Sequence, residues 1–326
     1  MAIASGLSTQ LGQVAEVTYG TRVVPTRFLE VKSESLEYPI DRNESEALRA
    51  GQQVLRSDRW NAGKKTPGGD IQYELANKGF GLPLKYAFGS VATAQPNVGT
   101  DPTVYEHTLT LGDLSALQRT VQLGETDTGG VTRVFEFTGV CTGSWELAQA
   151  LDGPLLFTES VIAQDCSLDT QALASASYPA SQTGFWWTNL IMKIAGTQYD
   201  VSTVGLKCDT GLKDDRFFVG AQTRKHPIQN KMREITIAAT GEFNDMTQIN
   251  RLTSSSTFAV TLFWTGALIS GTYSYALEIT LPACRFDGDR PKVGGPDVIA
   301  QPLKLKALDG GSGAISAVYR TTDTTP

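Results

Sequence analysis

Alternation of apolar and polar side chains at every second position constrains this chain more than any other feature, because that period buries one face of a strand and wets the other. It is clearest where Ile235, Ile237, Ala239, Gly241 and Phe243 interleave with Glu234, Thr236, Thr240 and Glu242. The same period runs through Tyr105, His107, Leu109 and Leu111, then through Leu117, Val121 and Leu123. It continues in Val131, Phe135 and Phe137, a face interrupted by Arg133 and introduced by the Gly129-Gly130 turn, towards Trp145 and Leu147. It returns in Phe258, Val260, Leu262 and Trp264, and in Tyr273, Tyr275, Leu277, Ile279 and Leu281; Ser270-Gly271 joins these two as a hairpin. Leu303, Leu305 and Ala307, interleaved with Lys304 and Lys306, read as the last strand. Such a chain is expected to be all-β and antiparallel.

The plan containing these strands is written twice. A strand through Val31–Tyr38 leads into a charged loop and re-enters order at Gly69–Leu75; Val201–Asp209 leads into Lys213–Arg216 and re-enters at Arg233–Ala238. Each re-entry strand is followed, at nearly the same spacing, by one of two helix-like stretches. These are Gly79–Ser90, with Leu82, Leu84, Tyr86 and Phe88, and Asn244–Leu252, with Asn244 or Asp245 as cap. At 326 residues the chain exceeds the usual size of one core. The expectation is two tandem antiparallel β-sandwich or β-barrel domains with one short helix each. The first covers 1–168 with a projecting loop at 41–66, the second covers 183–326, and 169–182, rich in Ala, Ser, Gln and Thr around Pro179, is the linker.

Composition narrows the function. The apolar share of 40% and charged share of 19% are those of a folded protein in water. No run approaches the ~20 apolar residues of a membrane helix, and Met1–Gly6 lacks a secretion signal, so use without secretion and without a membrane is expected. A formal net charge of -6 argues against dedicated nucleic-acid binding, while leaving a surface past which DNA slides. Cys141, Cys166, Cys208 and Cys284 are widely spaced and His107 and His226 are the two histidines, a set that reads as buried thiols without metal or disulfide framework. His107 lies on an apolar face and reads as a hydrogen-bonded core residue; His226, before Pro227, has no evident partner.

Catalytic signatures are missing: no Gly-x-Ser-x-Gly elbow occurs, and Gly63-Lys64-Lys65-Thr66 lacks the upstream glycine of a phosphate loop. Asp287-Gly288-Asp289 reads as a charged turn rather than a calcium loop. No catalytic residue, metal ligand or cofactor is expected, and the chain reads as a non-enzyme. Trp186-Trp187 reads as buried at the entrance of the second half, with a sugar-stacking platform as the rival.

The loops carry more. Arg42, Glu44, Glu46, Arg49, Arg56, Asp58, Arg59 and Lys64 surround Val54, Leu55 and Trp60, and loops this long are uncommon unless they do something. Lys213, Asp214, Asp215, Arg216, Phe217, Phe218, Arg224 and Lys225 repeat that mixture. Both sets are expected to make contacts between subunits.

Gly68-Gly69-Asp70-Ile71-Gln72-Tyr73-Glu74-Leu75, followed by Gly79–Gly89, resembles the alternating strand and short helix of the tail tube (major tail) proteins of long-tailed bacteriophages, particularly the type with a duplicated tube domain. Ile235-Thr236-Ile237 to Phe243-Asn244-Asp245 is similar in placement. The resemblance implies a structural virion protein whose rings stack into the tail tube, the conduit for genome delivery, with the long loop reaching the next ring. Three two-domain chains would close a pseudo-sixfold ring; six full chains per ring are the alternative. Implied partners are further copies, the tape-measure protein, tail terminator and tail-tip proteins, and DNA passing without specific binding. Assembly would occur in the host cytoplasm and the location would be the virion tail. Lumen candidates are Gln72, Glu74, Glu234, Thr236, Thr240 and Glu242. The rival is a capsid- or fibre-associated β-sandwich binding or decoration module using Trp60, Trp186 or Trp187.

Overall fold

The structure is a computed structural model and describes residues 6–326. In the first half the strands are β1 (Gln10–Ala15), β2 (Arg27–Leu29), β3 (Ser33–Glu34), β4 (Ile40–Glu44), β5 (Trp60–Lys65) and β6 (Gly68–Glu74). Helix α1 (Gly81–Phe88) follows, then β7 (Gly89–Ala94), β8 (Tyr105–Leu111), β9 (Arg119–Thr126), β10 (Thr132–Ala150), β11 (Leu156–Ile162) and β12 (Asp165–Leu168). Beyond 169–182 come β13 (Leu190–Ile194), β14 (Thr197–Gln198), β15 (Val201–Asp209), β16 (Leu212–Lys213), β17 (Ile228–Gln229) and β18 (Glu234–Glu242). Helix α2 (Thr247–Ser254) precedes β19 (Phe258–Ser270), β20 (Tyr273–Phe286), β21 (Ala300–Ala307) and β22 (Ser316–Thr321).

Every pairing of these strands is antiparallel, and the fold is all-β with two short helices. One broad sheet runs β3-β6-β11-β10-β15-β18-β21. A second runs β7-β8-β22-β20-β19-β13-β14. The 19-residue β10 serves two sheets: its C-terminal part lies between β11 and β15, and its N-terminal part between β9 and β12, with β1 and β2 beyond β9. At the far side Cys284–Phe286 of β20 pair with β21, so the sheets close into a barrel.

In the first sheet β3-β6-β11 and β15-β18-β21 flank β10. The halves are also interwoven: β22, from the end of the chain, pairs with β8, and one hydrophobic cluster takes residues from both halves. Trp145 of β10 ties helix to sheet by donating its Nε1–H to the Ala87 carbonyl at 2.9 Å and stacking on Phe88 at 5.1 Å. Helix α1 ends at Gly89, whose φ of 107° belongs to the left-handed region and whose N–H bonds the Lys85 carbonyl. A Cβ there would meet the Gly112 carbonyl oxygen at 2.5 Å. Segment 169–182 has no strand but is held down: Ala174 N–H donates to Gln122 Oε1, and its carbonyl accepts from Gln10.

Several expectations are corrected. Within Val31–Tyr38 only Ser33–Glu34 is strand, with an isolated bridge from Glu37 to Gly68. Val131 is not on an inward face but half exposed, since it ends the Gly129-Gly130 turn before β10 begins. The strand at Leu303 is not the last, because β22 follows it. Helix α2 begins two residues after Asp245, whose carboxylate accepts from Thr247 N–H and so caps its first turn.

The readings of the cysteines as buried thiols, of His107 as a hydrogen-bonded core residue and of Asp287-Gly288-Asp289 as a charged turn agree with the structure. All four cysteines are buried and free, and His107 is fully buried with Nδ1 2.8 Å from Thr93 Oγ1. Asp287 and Asp289 pair with Arg285 and Lys292, a charged turn.

Candidate assembly surfaces

The first sheet buries one face and leaves the other in solvent. Because β-pairing aligns side chains across strands, Ser33, Gln72, Thr158, Glu146, Lys207, Thr236 and Lys306 form one polar row across seven strands. Beside it run Glu74, Leu156, Ala148, Gly205, Ala238 and Lys304, and on the other flank Asp70, Ser160, Ser144, Asp209 and Glu234. The lumen candidates of both halves therefore share one face: Gln72 and Glu74 on β6, and Glu234, Thr236, Thr240 and Glu242 on β18. Gln72 donates to Thr158 Oγ1 at 3.1 Å, and Lys306 pairs with Glu234. Asp70, Glu74, Glu146, Asp209, Glu234 and Glu242 oppose only Lys207, Lys304 and Lys306, so the face is acidic. Sequence reasoning missed Glu146, Lys207 and Asp209 as members, since their place depends on which strands are neighbours. The signal for Lys304 and Lys306 was present in their alternation.

At one end of this sheet, where β6 begins and β15 ends, stand both charged loops. The first is not irregular: β4 and β5 pair as a hairpin with Arg42 opposite Ala62 and Glu44 opposite Trp60. Arg42 lies over the half-exposed Trp60 ring at 5.5 Å. Glu44, Glu46, Arg49, Asp58, Arg59 and Lys64 are exposed; Arg56 is partly covered and pairs with Asp58 at 2.6 Å. The base is clamped, with Lys65 Nζ 3.1 Å from Asp165 and Tyr38 donating to the same carboxylate at 2.7 Å.

The second loop packs against that base. Gln222 donates its side-chain N–H to the Ala62 carbonyl and accepts Lys65 N–H on its own carbonyl, both at 2.9 Å. Lys64 and Arg224 both lie over the Phe217 ring, at 5.3 and 5.7 Å. Lys213, Asp214, Asp215, Lys225 and Phe218 remain exposed, and Arg216 is partly buried, donating to the His226 carbonyl at 2.6 Å. Arg224 is 5% exposed, its charge disfavoured by burial, so it props the loop instead of offering a free contact. His226 does have neighbours: Gln118 Oε1 lies 3.3 Å away and Cys141 Sγ 3.9 Å.

The opposite end of the sheet carries the other aromatic pair. Trp186 and Trp187 are 48% and 39% exposed, which corrects the expectation of burial: Phe185 takes the core position and the two indoles fall outside it. Among the described residues no group of three or more His, Cys, Asp or Glu side chains is placed to hold a metal ion.

A closed all-β body with a broad polar face and a structured hairpin at one end has the anatomy of a structural protein that works through its surfaces. The phage tail tube protein family model matches residues 6–307, and the chain belongs to that family. Comparison with the curated proteins finds no match. As a family member it is a structural, self-assembling component of the tail tube, and its place is the tail of the virion.

Proposed function

We propose that three copies of this chain close into a pseudo-sixfold ring, and that stacked rings form a tube whose lumen is lined by the polar face of the first sheet. The observation that carries this reading is the continuity of that face across both repeats. Each chain presents β3-β6-β11 and β15-β18-β21 side by side, so three chains supply six such units. Six carboxylates against three lysines leave that face net negative, which lets a phosphate backbone slide without being trapped. Gln72, Glu74, Glu234, Thr236, Thr240 and Glu242 are the lumen residues in this arrangement. Ring closure also covers sheet edges that would otherwise template unwanted pairing.

The exposed residues of the two loops make the contacts between subunits and rings. The growing tube encloses the tape-measure protein, is bounded by terminator and tip proteins, is built in the host cytoplasm and later passes DNA. Cryo-EM of tubes grown from purified protein tests the arrangement. Three chains per ring with Gln72 and Thr236 facing the channel is the expected result; six full chains per ring, or a lumen lined by another face, overturns it.

A further inference from the structure

The end of the sheet opposite the hairpin carries a groove of about 380 Å³ between the β10-β11 turn, β13 and the start of β15. Its walls include three apolar side chains that the fold leaves exposed: Leu151 at 54%, Trp187 at 39% and Ile191 at 37%. Clustered exposed apolar groups of this kind mark an interaction site more often than a chance surface. Asp200 lines the groove and is exposed, and the exposed Asp152 follows Leu151 in the chain.

The hairpin tip has the converse character. Leu48 is fully exposed, Val54 is 74% and Leu55 44% exposed, while Arg49, Arg56 and Arg59 outnumber Glu46 and Asp58. Two backbone bonds brace the tip, Ser45 N–H donating to the Arg59 carbonyl and Gln52 N–H to the Arg49 carbonyl, which lowers the chain entropy lost on docking.

We infer that the hairpin tip of one copy docks in the Leu151-Trp187-Ile191 groove of a second copy in the adjacent ring. This rests on the tail tube reading, and names the receptor for the hairpin. Polarity favours it: strand register puts hairpin and groove at opposite ends of the same sheet, so copies stacked head to tail bring one to face the other. Apolar groups meet apolar groups, and the arginines of the tip meet Asp200.

The test places a photo-crosslinking amino acid at position 48, on the exposed tip, in the full-length chain, and maps the products from irradiated tubes by mass spectrometry. Crosslinks joining the tip to 149–154 or 187–203 of another copy are the expected result. In parallel, Ile191→Asp should reduce tube yield more than tenfold while leaving ring formation and melting temperature unchanged. Tubes crosslinked from the tip to any other segment overturn the groove as receptor, as does normal tube growth by Ile191→Asp. If wild-type protein forms no tubes, the functional reading itself falls, and with it this inference.

Discussion

Arg119 on β9 and Glu159 on β11 form an ion pair at 2.9 Å with both side chains fully buried, joining strands that lie on either side of β10. Thr142 donates to the other oxygen of Glu159 at 3.0 Å, and the Arg119 guanidinium lies 4.7 Å from the Tyr86 ring centre on α1. Burial opposes the arginine's charge, yet Glu159 holds its pKa above the ordinary value. One pair thus couples two sheets and a helix.

Removing one member should therefore be costly. Glu159→Ala leaves a buried guanidinium uncompensated and is expected to destabilise the chain by about 3–5 kcal/mol. Replacing both, as Arg119→Met with Glu159→Leu, should recover most of the loss, since desolvation of the charges disappears with them. Urea unfolding of the unassembled chain measures both. A single substitution within 1 kcal/mol of wild type would show the pair is incidental.

Thiol chemistry follows from burial. Cys141, Cys166, Cys208 and Cys284 are all at most 8% exposed, and desolvation pushes each thiol up to about 12. At pH 8 only about one in ten thousand would be thiolate, the reactive form. Native protein should show no rapid reaction with a disulfide reagent, whereas denatured protein should show all four thiols. A fast-reacting thiol in the native chain would contradict the placement of that cysteine.

Deleting Arg42 to Lys64 should abolish tube growth but leave the body folded. Side chains from 42 to 62 are almost all exposed, and the core cluster contains none of them. Lys65 and its Asp165 partner survive the deletion. The melting temperature should fall by no more than a few degrees, in proportion to the small loss of packing. Electron microscopy should show particles without tubes; normal tubes would make the hairpin decoration.

How much of this was legible depended on whether a strand wets one face. Strand β18 does, and its burial alternates as its sequence does. Both helices were legible in outline, whereas the stretch at 41–66 was read as a projecting loop, its length and mixed charge marking it but not its β4-β5 pairing. Strand β9 is buried on both faces, so Thr120 and Gln122 bond inside the fold, to Glu16 and Glu136, and mimic a solvent face in sequence. Strand β22 escaped notice because Ala317 and Thr321 are weak markers, though both are buried beside Tyr319. Arg224 and the Trp186-Trp187 pair were misplaced for a related reason: side-chain type fixes a preference, but only neighbouring elements decide cover. The polar face needed the pairing of β10 with β15, a contact no local pattern contains.

Acid should weaken the fold through its histidines. Burial lowers the pKa of His107 and of His226 below 6.5, so both are held neutral in the folded chain and protonate more readily once unfolded. The unfolded state then binds more protons, and stability present above about pH 6.5 is lost as pH falls through the folded values. Around His107 the charged groups Asp323 and Arg27 act in opposite senses and are secondary to burial. Glu16 works the other way, because burial raises its pKa and its contribution grows as pH falls towards 4.5. His107→Gln separates the two, since it preserves a hydrogen-bonding group near Thr93 while removing the titration. Urea unfolding at pH 7 and pH 5 should show a smaller loss for His107→Gln than for wild type. An identical loss in both would mean that His107 carries no part of the acid sensitivity.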